Sequence, residues 1–131
     1  MGLLTAHKWR VAAFTEATTT PTGVTTTEDF YAATMPCTRD NFDTYFANKT
    51  FTVDEGPTKC QSYYPQSVTL PWEFTANEAG LTLDSTPTGG NVTWQISQLT
   101  ATDFVLVRDE TITSGTAAGT RHVRTLAYKA L

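Results

Sequence analysis

Hydrophobic and polar residues alternate with a period of two along most of this chain. Apolar side chains occupy every second position over residues 68–75, and they do so again over 92–97. This period is typical of β-strands that bury one face. No segment of helical length repeats every 3.6 residues, so we expect only single helical turns, one near residues 3–4 and another around residues 28–33.

The pattern predicts eight strands. A hairpin is the clearest of these elements, because two runs rich in aromatic and β-branched residues flank the turn residues 47–49. The predicted strands cover HKWRVAAFTE (7–16), NFDTYF (41–46), TFTVD (50–54), 68–75, 81–83, 92–97, 103–112 and 121–131.

The links between these strands alternate between short and long. Tight links fall at residues 47–49, 76–80 and 99–102, whereas the first link runs from about 17 to 40 and the third from about 55 to 66. In an up-and-down antiparallel sheet alternate links lie at opposite ends. The sequence therefore predicts an all-β fold: one eight-stranded antiparallel up-and-down barrel, closed because closure removes the sheet edges. One end has tight turns, and the other carries the long flap that joins the first two strands.

Length and composition fit one globular domain over residues 1–131. Hydrophobic residues make up 40% and charged residues 17% of the chain. The net charge of −4 argues against a nucleic-acid-binding protein, which needs a cationic face for phosphates. No apolar run approaches the roughly 20 residues that span a bilayer. We expect contact with a membrane only through a lipid anchor attached ahead of Met1.

The two cysteines, Cys37 and Cys60, lie just outside the predicted hairpin, one on each side. The predicted topology places both at the open end of the barrel. A disulfide there would join the two long links and stabilise the fold by about 3 kcal/mol. The alternative is two free thiols, the usual state in a reducing cytosol. We expect the disulfide, and with it an oxidising compartment.

Four stretches carry a family resemblance: LLTAHKWRV at the start, PCTRDNFDTYF and TFTVDEGPTKC around the cysteines, and ISQLTATDFVLV further on. They resemble the bacterial lipocalin-like domains of cell-envelope lipoproteins and, more distantly, the lipocalins within the calycin superfamily. The resemblance implies a lipocalin-like barrel located in the periplasm or at the cell surface.

The resemblance also implies structural roles at the closed end of the barrel. In lipocalins a Trp on the first strand plugs that end, usually two positions after a Gly; Trp9 fits this place, although residue 7 is His. Thr102-Asp103-Phe104 is similar to the lipocalin Thr-Asp-Tyr element. An Arg of the last strand commonly packs over the plug Trp, and Arg121 and Arg124 are the candidates here, through a cation–π contact.

Candidate ligand-binding residues form an inner and an outer group. The inner group should point into the barrel, where it would either line a lipophilic pocket or fill the core, since eight-stranded barrels allow both. It consists of Trp72, Phe74, Trp94 and Ile96.

The outer group lies on the long links and would form the mouth of a pocket, a protein-binding patch or a small core under the flap. It consists of Phe30, Tyr31, Tyr63 and Tyr64, with Met35 beside them on the first long link. If their strands turn the right faces inward, Arg108, Arg124 and Tyr128 would orient the polar group of a ligand.

Acidic residues around the hairpin are interpreted as a solvated rim, because no spaced calcium-binding loop is present; they are Asp40, Asp43, Asp54 and Glu55. The two histidines, His7 and His122, have no metal-ligand spacing with the cysteines. No nucleophile elbow, phosphate-binding glycine loop or dinucleotide fingerprint occurs. We therefore expect no catalytic residues, no metal and no cofactor.

The resemblance implies a non-catalytic binding protein of the bacterial cell envelope. It would hold a small apolar or amphipathic molecule, for instance a lipid, at the open end of the barrel. The alternative is a protein-interaction or structural module with a filled core that acts through its loop-end surface. A small hydrolase or isomerase on the same barrel is a weaker third hypothesis.

Overall fold

The structure is a computed structural model that describes residues 2–75, 77–84 and 90–131. Its described residues form two short helices and nine strands. The helices are α1 (Gly2–Ala6) and α2 (Pro36–Arg39). The strands are β1 (Lys8–Thr19), β2 (Thr25–Asp29), β3 (Phe42–Tyr45), β4 (Thr50–Asp54), β5 (Ser67–Thr75), β6 (Gly80–Asp84), β7 (Asn91–Leu99), β8 (Asp103–Thr111) and β9 (Arg121–Ala130).

Eight of these strands close into an antiparallel barrel. They follow one another in the order β1-β3-β4-β5-β6-β7-β8-β9, and β9 pairs back with β1. The closing junction runs from Trp9 opposite Ala130 to Thr19 opposite Arg121. The prediction of an all-β, eight-stranded up-and-down barrel is therefore confirmed.

The inner faces of the strands carry the side chains that the period-two pattern predicted to be buried. Large aromatic residues concentrate toward the closed end, where Tyr45 stacks on Phe51 at 5.3 Å between ring centroids and Trp9 lies 5.4 Å from Phe104. The buried core consists of Leu4, Trp9, Tyr45, Phe51, Trp72, Leu81, Leu83, Trp94, Phe104, Leu106, Leu126 and Tyr128.

Strand β2 is an addition to the predicted set. Its sequence TTTED has no apolar face and is exposed throughout, so hydrophobic periodicity could not reveal it. It pairs with the second half of β1, at residues 15–19. The helical turn expected around residues 28–33 is wrong, because Glu28 and Asp29 end this strand. Helix α2 begins later, at Pro36, a residue that favours the first helical position.

The junction between β1 and β3 is short. Only Lys8 and Trp9 of β1 pair with β3, opposite Thr44 and Asp43. Between Trp9 and the start of the β2 pairing at residue 15, β1 has no partner strand on this side. We call this interruption of the barrel wall the seam.

The disulfide joins the two long links at the open end, as predicted. Cys37 lies in α2 and Cys60 in the link between β4 and β5, with their Cα atoms 5.1 Å apart. The residues beside the bond hold the same two segments together. Asp40 accepts a hydrogen bond from the Thr58 amide at 3.0 Å, and Gly56 approaches the Asp40 carbonyl so closely that a Cβ there would lie 2.3 Å from its oxygen.

Candidate functional site

The interior of the barrel holds a cavity of about 360 Å³ that opens to solvent, which we call the barrel cavity. Seven strands contribute to its wall, and inward-facing aliphatic and aromatic side chains form most of it. These are Phe51, Val53, Leu70, Leu83, Val92, Trp94, Leu126 and Tyr128. Three charged residues, Asp43, Arg108 and Arg124, complete the lining.

The closed end below this cavity is filled by side chains. The indole nitrogen of Trp9 donates to the Leu4 carbonyl at 3.0 Å, so helix α1 and the fully buried Trp9 cap the barrel together. The Trp9 side chain thus takes the predicted plug position. Phe104 packs between Trp9 and Tyr128, with its ring centroid 5.2 Å from that of Tyr128.

A second cavity, of about 200 Å³, lies at the seam, under the flap; we call it the sub-flap cavity. Its apolar wall comes from β1 and the flap, and its polar wall from α2 and the residues that follow it. The lining consists of Trp9, Val11, Phe14, Tyr31, Thr34, Thr38, Arg39, Asn41, Asp43, Val53 and Tyr128. Asp43, Val53 and Tyr128 therefore border both cavities.

Asp43 is the carboxyl group at this boundary. It is half-buried by surface area because it borders two cavities, yet the surrounding protein desolvates it enough to raise its pKa from 3.8 to about 7. Hydrogen bonding by the Tyr128 hydroxyl favours the charged form and opposes that shift. Burial, and then the charge of Asp43, raise the pKa values of Tyr45 and Tyr128 well above the ordinary tyrosine value.

Tyr45 adds a buried polar atom near Asp43. Its side chain is 1% exposed, and its hydroxyl oxygen has no hydrogen-bond partner among the residues that the structure describes. Buried hydroxyl groups are normally hydrogen-bonded, so an unpartnered one marks a position where a further polar group would be favourable. Asp43, Tyr45 and Tyr128 together form what we call the carboxyl–tyrosine cluster.

The two arginines of the barrel cavity already have acidic partners. Arg124 lies 3.3 Å from Glu16, which also lies 3.2 Å from His122, and Arg108 pairs with Glu110. These groups lie toward the open end, where β1, β8 and β9 extend furthest. Because their charges are matched by neighbouring acidic groups, the arginines do not give the cavity a strong unbalanced positive charge.

The structure brings only part of the predicted ligand-binding set to the cavities. Trp94, Arg108, Arg124 and Tyr128 line the barrel cavity, and Tyr31 and Tyr128 line the sub-flap cavity. Phe30 packs on Phe14 instead, at 5.3 Å between ring centroids, and so helps to bury the flap.

Other predicted ligand-binding residues border neither cavity. Trp72 lies at the closed end, where its indole nitrogen donates to the Thr50 carbonyl at 2.9 Å, and Phe74 packs against it. Ile96 is half-buried and packs against the core. Tyr63 and Tyr64 lie on the link between β4 and β5, with 76% and 41% of their surface exposed.

The predicted contact of a last-strand arginine with Trp9 is wrong. In the β1–β9 register Trp9 lies opposite Ala130, whereas Arg121 and Arg124 lie opposite Thr19 and Glu16, at the other end of β1. Arg121 donates to Asp109 on the outer face, at 2.9 Å from its Nε. The register, which the sequence did not reveal, separates these arginines from the plug.

The acidic rim needs a correction as well. Asp40 and Asp54 accept hydrogen bonds that hold the long links in place, and those from Gln66 and the Gly56 amide lower the pKa of Asp54. Asp43 lies inside the barrel wall rather than on a solvated rim. Its position two residues before Tyr45 in the same strand was the available signal, because alternate residues share a face.

Among the described residues, no group of three or more His, Cys, Asp or Glu side chains is arranged to hold a metal ion. None of the helices in the described ranges has the length and apolar character needed to cross a membrane.

Comparisons with known proteins give a similarity of architecture. No protein-family model matches the chain, and no curated protein matches it significantly. A solved structure of a lipocalin-like protein from Bacteroides uniformis matches 99% of this chain and 100% of its own, with 12% sequence identity and a TM-score of 0.46. The fold of the chain rests on its own strand pairing, and the match carries nothing on ligand or activity.

Proposed function

We propose that this chain is a non-catalytic binding protein that takes up a small apolar or amphipathic molecule in the barrel cavity. The observation that carries the proposal is the cavity itself, about 360 Å³ in volume, with a mainly aliphatic and aromatic wall. Small-molecule sites are typically concave, mostly apolar and supplied with a few polar groups that orient the ligand. In this cavity Asp43, Arg108, Arg124 and the Tyr128 hydroxyl are such groups.

Burial of apolar surface would provide most of the affinity. A ligand that hides about 200 Å² of apolar surface gains about 5 kcal/mol at roughly 25 cal/mol per Å². The loss of translational and rotational freedom offsets part of this gain, so we expect dissociation constants of about 1 mM or weaker for simple ligands.

We also propose that the protein acts outside the cytoplasm, in the periplasm or at the cell surface. The Cys37–Cys60 disulfide supports this location, because disulfides persist mainly in oxidising compartments. A lipid anchor ahead of Met1 would attach beside helix α1, so the closed end of the barrel would lie nearest the membrane.

A fluorescence titration with a matched pair of variants tests the proposal. Trp94 lines the barrel cavity, so a bound ligand should change its emission in a saturable way. Val92→Phe narrows the cavity and should weaken binding at least tenfold. Thr93→Phe adds the same ring on the exposed outer face of β7 and should leave the affinity unchanged. Flat titrations with fatty acids, aromatic alcohols and aromatic amines would contradict the proposal.

One observation favours a second candidate function, recognition of a protein partner through the open-end loops. The exposed rings of Tyr63 and Tyr64 pack edge to face at 5.0 Å on a link that the disulfide holds. Tyrosines of this kind are enriched in protein interfaces. A double Tyr63→Ser, Tyr64→Ser variant should retain ligand affinity if the barrel cavity is the site, and lose partner binding if the loops are.

A further inference from the structure

The barrel cavity contains one charged group that lacks a partner of opposite charge. Arg124 pairs with Glu16 and Arg108 with Glu110, but no ion pair among the described residues includes Asp43. Desolvation raises the pKa of Asp43 and the Tyr128 hydroxyl opposes that rise, with no contribution from a cation. The unbalanced charge of the site is therefore a carboxylate.

The arginines that line the two cavities are engaged elsewhere. Arg39 lines the sub-flap cavity, but it donates to the Tyr31 and Ala32 carbonyls at 3.1 and 2.9 Å. Arg124 is four residues before Tyr128 on β9, which corresponds to about 13 Å along the strand. Neither arginine neutralises Asp43, and an uncompensated charge in a desolvated position is costly unless a partner arrives.

Hydrogen-bond acceptors and aromatic faces surround the same carboxyl. The Tyr128 hydroxyl interacts with Asp43, and both residues line the barrel cavity. The rings of Phe51, Trp94 and Tyr128 line the same cavity. A primary ammonium group has three donors and is attracted to aromatic faces, so it matches this set of acceptors and rings.

We propose that the ligand carries a protonated amine on a small aromatic or alkyl body, with the ammonium group bound at the carboxyl–tyrosine cluster and the body against Trp94 and the aliphatic wall. This inference rests on the proposed function and specifies its ligand class. The ammonium group would pair with Asp43 and donate to the Tyr128 hydroxyl, while the body fills the barrel cavity.

Three ligands of nearly the same shape test the charge preference on the intact, oxidised protein at pH 8. They are 2-phenylethylamine, 2-phenylethanol and 3-phenylpropionate, which present a cation, a neutral hydroxyl and an anion. Titration calorimetry or Trp fluorescence should show the amine binding at least tenfold more tightly than either of the others. Equal affinity for the amine and the alcohol, or tighter binding of the acid, would overturn the inference.

Two variants test whether Asp43 causes the preference for the amine. Asp43→Asn should weaken binding of the amine at least tenfold and change the affinity for the alcohol by no more than about twofold. Asp109→Asn, which removes an exposed carboxylate paired with Arg121, should change neither. If D43N binds the amine as tightly as the wild type does, the inference is overturned. If the alcohol and the acid bind and are blocked by Val92→Phe while the amine is not preferred, the binding function stands and only the ligand class fails. Absence of binding by all three, and by the fatty acids, would remove both.

Discussion

Replacing Asp43 by Asn should remove a fall in the free energy of unfolding that occurs in the wild type as the pH rises. The native pKa of Asp43 is about 7 and its ordinary value is 3.8, so between these pH values the folded protein binds the proton that the unfolded chain releases. Stability should therefore fall as the pH rises through this window, and Asp43 should contribute no further change above it.

The size of this effect follows from the difference between the two pKa values. Each pH unit within the window is worth about 1.4 kcal/mol, so the full loss is about 4 kcal/mol. Between pH 5 and pH 8 the loss should be about 2 to 3 kcal/mol, because only the part from pH 5 to pH 7 lies inside the window. In D43N this loss should be absent, since the amide does not ionise.

Urea unfolding followed by Trp fluorescence at pH 5, 6, 7 and 8 measures the effect as a difference between wild type and variant. Asp109→Asn provides the control. Hydrogen bonding by Arg121 lowers the pKa of Asp109, so this carboxyl is ionised in both states throughout the range. The D109N profile should run parallel to that of the wild type. A D43N profile that also runs parallel would refute the reasoning, because it would show that Asp43 is not desolvated.

Four further variants test the fold. Replacing both Cys37 and Cys60 by Ser should lower the free energy of unfolding by about 3 kcal/mol, since the unfolded chain regains the freedom of the closed loop; urea unfolding without reductant checks this, and unchanged stability would contradict it. Gly56→Ala should cost about 2 kcal/mol or more, because φ is +67° and the added Cβ would lie 2.3 Å from a carbonyl oxygen. Gly23→Ala, with a φ of +90° but open space around it, should cost only about 1 kcal/mol in the same assay, and equal losses would remove the steric argument. Leu106→Ala should cost about 2 to 5 kcal/mol because Leu106 is fully buried, and a loss below about 1 kcal/mol would show that the barrel collapses around the deleted atoms.

The barrel was predictable because alternation and link length depend on local sequence. Apolar residues at every second position of 68–75 and 92–97 report the buried face of a strand directly. The alternation of short and long links then places Cys37 and Cys60 at one end. Strand β2 was not predicted, because a strand held outside the barrel needs no apolar face and TTTED has none.

The candidate site was less predictable because it depends on register. Trp72 and Trp94 both alternate correctly, yet only Trp94 borders the barrel cavity, since Trp72 lies nearer the closed end. The same cause placed Arg121 far from Trp9. Asp43 belongs to the inward face by its spacing from Tyr45, but four acidic residues in one region suggested a solvated surface instead.

The seam has a consequence for how molecules enter and leave. Every other junction between neighbouring barrel strands is held over at least four residue pairs, whereas β1 and β3 share two. A fluctuation that separates these strands breaks the fewest backbone hydrogen bonds, so it should occur without global unfolding. Since the sub-flap cavity lies beside this junction, a bound molecule could enter or leave through the barrel wall between β1 and β3. The ion pairs at the open end would remain formed during this exchange. The Cys37–Cys60 disulfide, which joins the flap to the link between β4 and β5, would then limit how far β1 and β3 separate. The oxidation state of the two sulfurs would therefore influence the rate of exchange.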